Sequence, residues 1–419
     1  MKIQLLDQPV TLNERLTYSV QLPDTGFYSI TLKAKSTTCW SEENNEASMV
    51  RIYMNELHQQ DIIIFYGQKS FSYERNLGEW QAGNYQLHIE PFTNHVVHVE
   101  SIEIVKLTPT QNDRLALQYA PILHGRKIYG EYDNMYTDTP LEMIYRIGEW
   151  EKGKVLEYHM VFSHEDEGTP AMLLMAKWGR LLDIEYMIRI YLKEDETIDH
   201  AIYQGANHID TKYLKEFIHG KRPVMQTATG NGNFTDDITS EYHFSFLPRE
   251  WKAEEEPREF VMERFPYVNH LMEWEAARQL TKEQPPYNQL ETLSSFLFIH
   301  SSIWDIELGK VTIDFACQLE GDDHWYSSSY GQIKLGPFDA AYTGPFHHFA
   351  VAIYLPFAFD FSEITKIKVR LINQELASIT VKGLKVFTYN KEEGLQNWIN
   401  KQESYLLNQN NTEKIIWSN

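Results

Sequence analysis

Short runs in which apolar and polar residues alternate, broken by turn residues, recur along the whole chain and limit what it can fold into. The stretches "GFYSITLKAKS" (26–36) and "GNYQLHIE" (83–90) each follow a turn, and "KVTIDFACQLEGDDHWY" (310–326) has the same character. A period of two is the side-chain period of a half-buried strand. The sequence therefore predicts a mainly β protein built of tandem β-sandwiches of jelly-roll type with a few short helices.

A length of 419 residues exceeds that of an ordinary single domain. Polar, proline-containing segments at "LTPTQND" (107–113) and "TKEQPPYNQLE" (281–291) are typical of linkers. We predict sandwiches over residues 1–108, 109–285 and 286–392, followed by a helical and polar tail over 393–419. One helix is expected near the end of the central domain, where Leu271, Trp274, Ala277 and Leu280 keep a helical spacing.

The chain is strongly acidic, with 59 Asp and Glu against 38 Lys and Arg and a formal charge of −21. Such a field repels phosphate backbones, so nucleic acid is excluded as an expected partner. No apolar run is long enough for a transmembrane segment, and the first residues lack a signal peptide. A cytoplasmic location follows for the chain as written, with secretion by another route and the oligomeric state left open.

Acidic and histidine residues of the central region indicate a candidate metal site. Asp183 and Glu185 lie two apart in a strand, so they share one face and repel each other unless a cation, an arginine or a shared proton lies between them. Consecutive strands usually pair, which would bring these acids to one sheet edge with Asp166 and His208. Carboxylates with a single imidazole favour a hard divalent cation, Ca²⁺ or Mg²⁺. The alternative is a solvated face with Arg180 or Arg189 paired to the acids.

The same groups allow a catalytic interpretation. Asp183 and Glu185 could act as the acid and base of a glycosidase, and His159 could act as a base toward an ester. No nucleophile elbow, Walker loop or dinucleotide cradle is present, which disfavours serine hydrolases, kinases and dinucleotide enzymes.

A second group of polar and aromatic residues lies in the third region. Acids beside aromatic rings suit a sugar, whose apolar faces stack on rings while its hydroxyls are hydrogen-bonded. The expected ligand-binding residues, with Arg180 of the central region, are Asp322, Asp323, His324, Trp325, Tyr326 and Tyr330.

Three resemblances add to these expectations. The first quarter of the chain, through "GFYSITLKAKS" and its "AGNY" turn, resembles the jelly-roll carbohydrate-binding modules of bacterial polysaccharide-active enzymes. The "YAPILHGR", "FSHEDEGT" and "WGRLLDIEY" segments resemble a family of bacterial proteins of unassigned activity. The central segment is also similar to the necrosis-inducing (NEP1-like) proteins and, more loosely, to the Vps62-like proteins.

The necrosis-inducing proteins bind one divalent cation in a β-sandwich. That resemblance implies metal ligands at Asp166, at Asp183 and Glu185 within "GRLLDIE", and at His208. Together these observations predict a multi-domain β protein that binds a glycan or glycolipid and carries a divalent-cation site. A glycosidase or esterase using the same carboxylate and histidine cluster is the alternative.

Overall fold

Strands make up most of the chain, which confirms the predicted mainly β class of β-sandwich domains with a few short helices. The computed structural model describes residues 1–164, 169–280, 289–290, 292–305, 312–331, 334–335, 338–372 and 378–419. The chain divides into two compact units. Unit 1 comprises Met1–Glu167 and Asp183–Trp251, and unit 2 comprises Gly168–Leu182 and Lys252–Asn419. The finer division at residues 108, 285 and 392 stays a prediction.

The first part of unit 1 is a β-sandwich of two antiparallel sheets. Its strands are β1 (Lys2–Gln4), β2 (Val10–Thr11), β3 (Leu16–Leu22), β4 (Gly26–Ser36), β5 (Ser48–Met54), β6 (Leu57–Ile64), β7 (Phe71–Trp80), β8 (Gly83–Pro91) and β9 (Val97–Lys106). One sheet has the order β1-β9-β4-β7 with β2 on β9, and the other has the order β3-β8-β5-β6. Along β4 the alternating residues Tyr28, Ile30 and Leu32 are fully buried, as the period of two predicts.

The rest of unit 1 contains one helix and two further sheets. Its elements are α1 (Gln111–Tyr119), β10 (Ile122–His124), β11 (Pro140–Trp150), β12 (Gly153–Phe162), β13 (Asp183–Lys193), β14 (Ile198–Gly205), β15 (Ile209–Lys212), β16 (Val224–Thr227), β17 (Phe234–Thr235), β18 (His243–Phe244) and β19 (Pro248–Glu250). Their orders are β17-β16-β10-β18 and β15-β14-β13-β12-β11-β19. The second, six-stranded sheet carries the acidic pair.

Unit 2 is a second sandwich, and its described residues include three α-helices. Its elements are α2 (Ala171–Trp178), α3 (Val261–Arg264), α4 (Tyr267–Leu280), β20 (Phe296–Trp304), β21 (Ile313–Leu319), β22 (Trp325–Ser327), β23 (Lys334–Leu335), β24 (Phe338–Asp339), β25 (His348–Tyr354), β26 (Ile364–Leu371), β27 (Ser378–Asn390), β28 (Gly394–Asn408) and β29 (Glu413–Ser418). The main sheets have the orders β25-β20-β27-β28 and β22-β21-β26-β29. Leu297 and Val351 of one sheet and Phe315 and Ile367 of the other belong to one buried core.

Several local predictions need correction. The predicted helical tail is wrong, because residues 394–408 and 413–418 are β28 and β29, paired with β27 and β26. Helix α1 begins inside the first predicted linker, where Thr110 and Asp113 form a capping box. Helix α4 forms as predicted, yet Leu280 is exposed while Glu273 and Arg278 are buried. Most of the second predicted linker lies outside the described residues.

No helix in the described part of the chain has the length and apolar character needed to cross a membrane.

Candidate functional site

The acidic pair lies at the start of β13. A β-bulge that follows the pair changes which later residues of the strand share its face. Helix α2 ends at Trp178, residues 179–182 follow it, and strand β13 begins at Asp183. On β12, Tyr158 pairs with Ile188 but its neighbour His159 pairs with Tyr186, so Met187 is an extra residue. The bulge places Tyr186 on the same face as Arg189, whose guanidinium carbon lies 4.1 Å from the centre of the Tyr186 ring. Arg189 therefore lies on the face opposite to the acids, and the alternative pairing of Arg189 with them is not observed.

A short loop closes over the two carboxylates. Gly232 of this loop has φ +71°, and a Cβ built on it would lie 2.4 Å from Asp183 Oδ2 and 3.1 Å from Glu185 Cγ. Only a glycine fits here without displacing the acids. The loop is held by Arg126, a fully buried residue that donates to the carbonyl oxygens of Thr229 and Gly230 at 3.2 and 3.3 Å.

Glu185 and His208 come together at this loop. Glu185 Oε2 accepts a hydrogen bond from Gln204 and lies 3.6 Å from His208 Nδ1. The side-chain amides of Asn231 and Asn233 contact the His208 ring nitrogens at 3.2 and 3.4 Å. The structure thus brings Glu185 close to His208, but the ligand atoms of Asp183, Glu185 and His208 do not all lie within 4.8 Å of one another. The fourth predicted ligand, Asp166, lies outside the described residues.

His159 belongs to a different cluster on the other face of the sheet. Its Nε2 lies 2.8 Å from Glu157 Oε1, and Glu157 also accepts hydrogen bonds from Arg146, at 2.7 and 3.1 Å, and from Arg189. Burial would raise the pKa of Glu157, but the hydrogen bonds and charges of His159 and Arg146 outweigh it and hold this pKa well below its ordinary value. The catalytic candidates are therefore split, with His159 on one face and Glu185 on the opposite one.

Arg180 lies in unit 2, where it is buried and already engaged. Its Nε donates to Glu259 Oε1 at 2.8 Å, and its Nη1 donates to the carbonyl oxygen of Leu182. Neither partner is Asp183 or Glu185, so the sequence-based pairing of Arg180 with the acids is not observed.

The acids and aromatic rings of the third region lie on the turn before β22 and on β22 itself. Asp322 accepts from the His324 backbone amide at 2.8 Å and from the Tyr326 hydroxyl at 3.0 Å, and both hydrogen bonds lower the pKa of Asp322. The Lys368 ammonium lies 4.1 Å from the centre of the Trp325 ring. Asp323 is exposed beside them. Tyr330 lies apart, because its hydroxyl donates to the Met172 carbonyl oxygen at 2.9 Å and burial raises its pKa.

The sequence did not predict a cavity of about 400 Å³ in unit 2. Its lining comes from strands β20, β25, β27 and β28 and from residues before and within α3. The lining includes Glu256, Glu263, His300, Trp304, Lys382, Lys385, Asn400 and Gln402.

A second bulge shapes this cavity. The register of β27 skips Gly383 against both β20 and β28, and Gly383 has φ +71°. The Ser301 hydroxyl fills the resulting gap by donating to the Gly383 carbonyl oxygen at 2.8 Å. The sequence carried a signal, because the alternation in "SITVKGLKVF" changes phase at this glycine. Strand β27 nevertheless continues through it.

The cavity wall holds a neutral histidine and a fixed indole. Burial, aided by the nearby Lys385 charge, lowers the pKa of His300 to about 3. Among the described residues no hydrogen-bond partner reaches the buried His300 Nε2. Trp304 is held by a 2.9 Å hydrogen bond from its indole N–H to the Ser302 hydroxyl and by parallel stacking on His347, with ring centres 4.9 Å apart.

No protein-family model matches the sequence, and no curated protein matches it. Among solved structures, the chain is similar to a family 36 carbohydrate-binding module in complex with calcium and xylotriose, with 10% identity, a TM-score of 0.21, and coverage of 25% of this chain and 99% of that one. A family 35 carbohydrate-binding module from Clostridium thermocellum gives 11% identity, a TM-score of 0.21, and 26% and 99% coverage.

A carbohydrate-binding module of the Cellvibrio mixtus lichenase 5A, in complex with cellotriose, gives 16% identity, a TM-score of 0.20, and 26% and 87% coverage. The resemblance to necrosis-inducing and Vps62-like proteins stays a prediction.

Proposed function

We propose that the protein binds carbohydrate and that the cavity of unit 2 is the binding site. The observation that carries this proposal is the cavity itself, because a volume of about 400 Å³ lies in the range of small-molecule sites. Its lining residues lie largely on the hydrogen-bonded strands β20, β27 and β28.

The chemistry of the lining suits a ligand rich in hydroxyl groups. A sugar hydroxyl both donates and accepts hydrogen bonds, and the cavity offers acceptors on Glu256 and Glu263 and donors on Lys382 and Lys385. Lys385 is committed to Glu263, with distances of 2.6 and 2.5 Å. The Lys382 ammonium instead lies 5.2 Å from the centre of the Trp304 ring, and no carboxylate among the described residues pairs with it. It is therefore positioned to donate to a ligand.

Substitution of Lys382 tests the site. We expect the wild type to bind members of a panel of neutral and acidic oligosaccharides, and Lys382→Ala to weaken that binding at least about tenfold, since a hydrogen bond from a charged donor is lost. Lys366→Ala is the matched control, because Lys366 is exposed on β26 and does not line the cavity. Isothermal titration calorimetry measures both, and the same headgroups in lipid vesicles distinguish free glycan from glycolipid. Absence of binding across the panel, or equal affinity in the Lys382 variant, would overturn the proposal.

We further propose that Asp183 and Glu185 hold a hard cation, Ca²⁺ or Mg²⁺, with His208 beside it. Two carboxylates under one loop supply the oxygen ligands that these ions prefer. Support comes from the fully buried Asn233, because its Oδ1 has no hydrogen-bond partner in the described part of the chain. After EDTA treatment, added Ca²⁺ or Mg²⁺ should raise the unfolding midpoint of the wild type but not that of Asp183→Asn. The exposed Asp210→Asn serves as the control, and identical responses in all three proteins would disprove the cation site.

A further inference from the structure

Two histidines and an aspartate that were not among the predicted site residues converge in unit 1. His58 and Asp61 lie on β6 and His243 lies on β18, and one ligand atom from each comes within 4.8 Å of the other two. We call these three residues the His58 cluster. Ligands bound tetrahedrally to zinc at about 2.0–2.2 Å are roughly 3.3–3.6 Å apart, so small side-chain adjustments bring the cluster to that geometry.

A bulge in β6 explains why His58 and Asp61 face the same way. Residues three apart in a regular strand point to opposite faces. On β5, Tyr53 pairs with His58 but the adjacent Ile52 pairs with Gln60, so Gln59 is an extra residue. The insertion changes the phase of the strand by one residue and places His58 and Asp61 on one side.

Hydrogen bonds around the cluster orient its ligand groups. His243 Nε2 lies 2.9 Å from the Gln59 carbonyl oxygen, which fixes the proton on that nitrogen and leaves the lone pair on Nδ1. Asp61 Oδ1 accepts from Arg51 at 2.7 Å, and Asp61 Oδ2 accepts from the His243 backbone amide at 3.0 Å. Partners of this kind orient ligands in known metal sites.

His58 leaves a buried ring nitrogen without a hydrogen bond. Its Nε2 lies 3.2 Å from Asp61 Oδ2, but no partner among the described residues meets the geometry of a hydrogen bond to it. A metal ion bound between the imidazole and the carboxylate would complete the coordination of this nitrogen.

The surroundings keep the His243 imidazole in the form that binds metal. Burial, with the nearby His58 and His124 rings, lowers the pKa of His243 to about 4. Arg51 and Tyr53 also face the cluster, with the Tyr53 ring centre 5.6 Å from that of His58. His243 is therefore neutral near pH 7, as a ligand must be.

We propose that the His58 cluster binds a transition-metal ion of the Zn²⁺ type, with a fourth position open to water or another ligand. Two imidazoles and one carboxylate form a ligand set that suits zinc, whereas Ca²⁺ and Mg²⁺ prefer all-oxygen sites. This site is separate from the hard-cation site at Asp183 and from the cavity of unit 2.

Titration of the metal-free full chain with Zn²⁺ tests the proposal. We expect one zinc ion to bind to the cluster and the His58→Gln variant to lose more than about a hundredfold in affinity, beyond the 10- to 100-fold that loss of an outer partner costs. His98→Gln is the matched control, because His98 is also half-buried in a strand of the first sandwich. Cobalt substitution adds a direct measurement, since tetrahedral Co²⁺ with two imidazole ligands absorbs in the visible.

The outcomes separate clearly. Lost zinc affinity and lost cobalt absorption in His58→Gln, with both retained in His98→Gln and a native circular dichroism spectrum in each, support the site. Unchanged affinity in His58→Gln would refute it, as would a wild type that binds no zinc. If His58→Gln fails to fold, Asp61→Asn, which keeps the side-chain volume, gives the same test.

Discussion

Replacement of Gly232 by alanine measures how tightly the loop closes over the acidic pair. The new Cβ would lie 2.4 Å from Asp183 Oδ2 and 3.4 Å from the Phe162 ring. Asp183 is only 3% exposed, so its short side chain has little space into which to move. Two costs follow, about 1–2 kcal/mol for a left-handed alanine and about 1–3 kcal/mol for overpacking.

Gly220 supplies a matched control for this variant. It has φ +70°, close to that of Gly232, but a Cβ there would meet no atom within 4 Å. Gly220→Ala should therefore carry only the conformational cost, and the difference between the two variants isolates the steric cost of about 1–3 kcal/mol.

Urea unfolding and hydrogen exchange together test this prediction. For a unit of this size, each kcal/mol corresponds to about 2–4 °C in midpoint temperature, so the difference is measurable by calorimetry as well. Hydrogen exchange should accelerate in the Ala228–Asn233 loop of Gly232→Ala and stay unchanged there in Gly220→Ala. Equal destabilisation of the two variants would show that the carboxylates move aside without a measurable cost. That result would refute the inference that the loop packs tightly against them.

Two further predictions concern the effect of pH on stability. The folded-state pKa of Glu157 is lowered, so the stabilisation from its carboxylate is present above its unfolded pKa of about 4.3 and is lost as the pH falls below that value. Glu157→Gln should lower the free energy of unfolding by about 1–3 kcal/mol at pH 7, and urea midpoints should show this difference decrease on acidification. Equal urea midpoints of the two proteins at pH 7 would show that the ion cluster contributes nothing to stability. His300 stays neutral down to about pH 3 in the folded protein but takes up a proton below about pH 6.5 in the unfolded chain. The free energy of unfolding should therefore fall by up to about 1.4 kcal/mol for each unit by which the pH decreases from about 6.5 to about 3. His300→Gln should flatten this dependence in calorimetric scans, and an unchanged slope would disprove the buried neutral imidazole.

The sequence predicted the fold class well because the period of two is a local property that each strand carries by itself. It placed the acidic pair in a strand and brought Glu185 near His208, since consecutive strands pair. It did not reveal the inserted residues Met187 and Gln59, each of which reverses the facing of the neighbouring side chains. These two insertions are visible only against the partner strand, whereas at Gly383 the alternation of the sequence itself changes phase.

The cavity and the His58 cluster were missed for a related reason. Their residues are far apart in the sequence, as with His58 and His243 or with Trp304, Lys382 and Asn400. Each residue considered alone is typical of an ordinary strand or turn. Only the pairing of strands that are far apart in the sequence shows that these residues lie close together.

The path of the chain through its two units has a practical consequence for how the protein can be divided. Residues 168–182, which carry α2, belong to unit 2, although the segments on both sides belong to unit 1. No single cut releases both units whole, because a break after Trp251 leaves α2 on the wrong fragment. The two units are therefore best expressed together as one chain. Any fragment, fusion or complementation pair should keep α2 with the rest of unit 2.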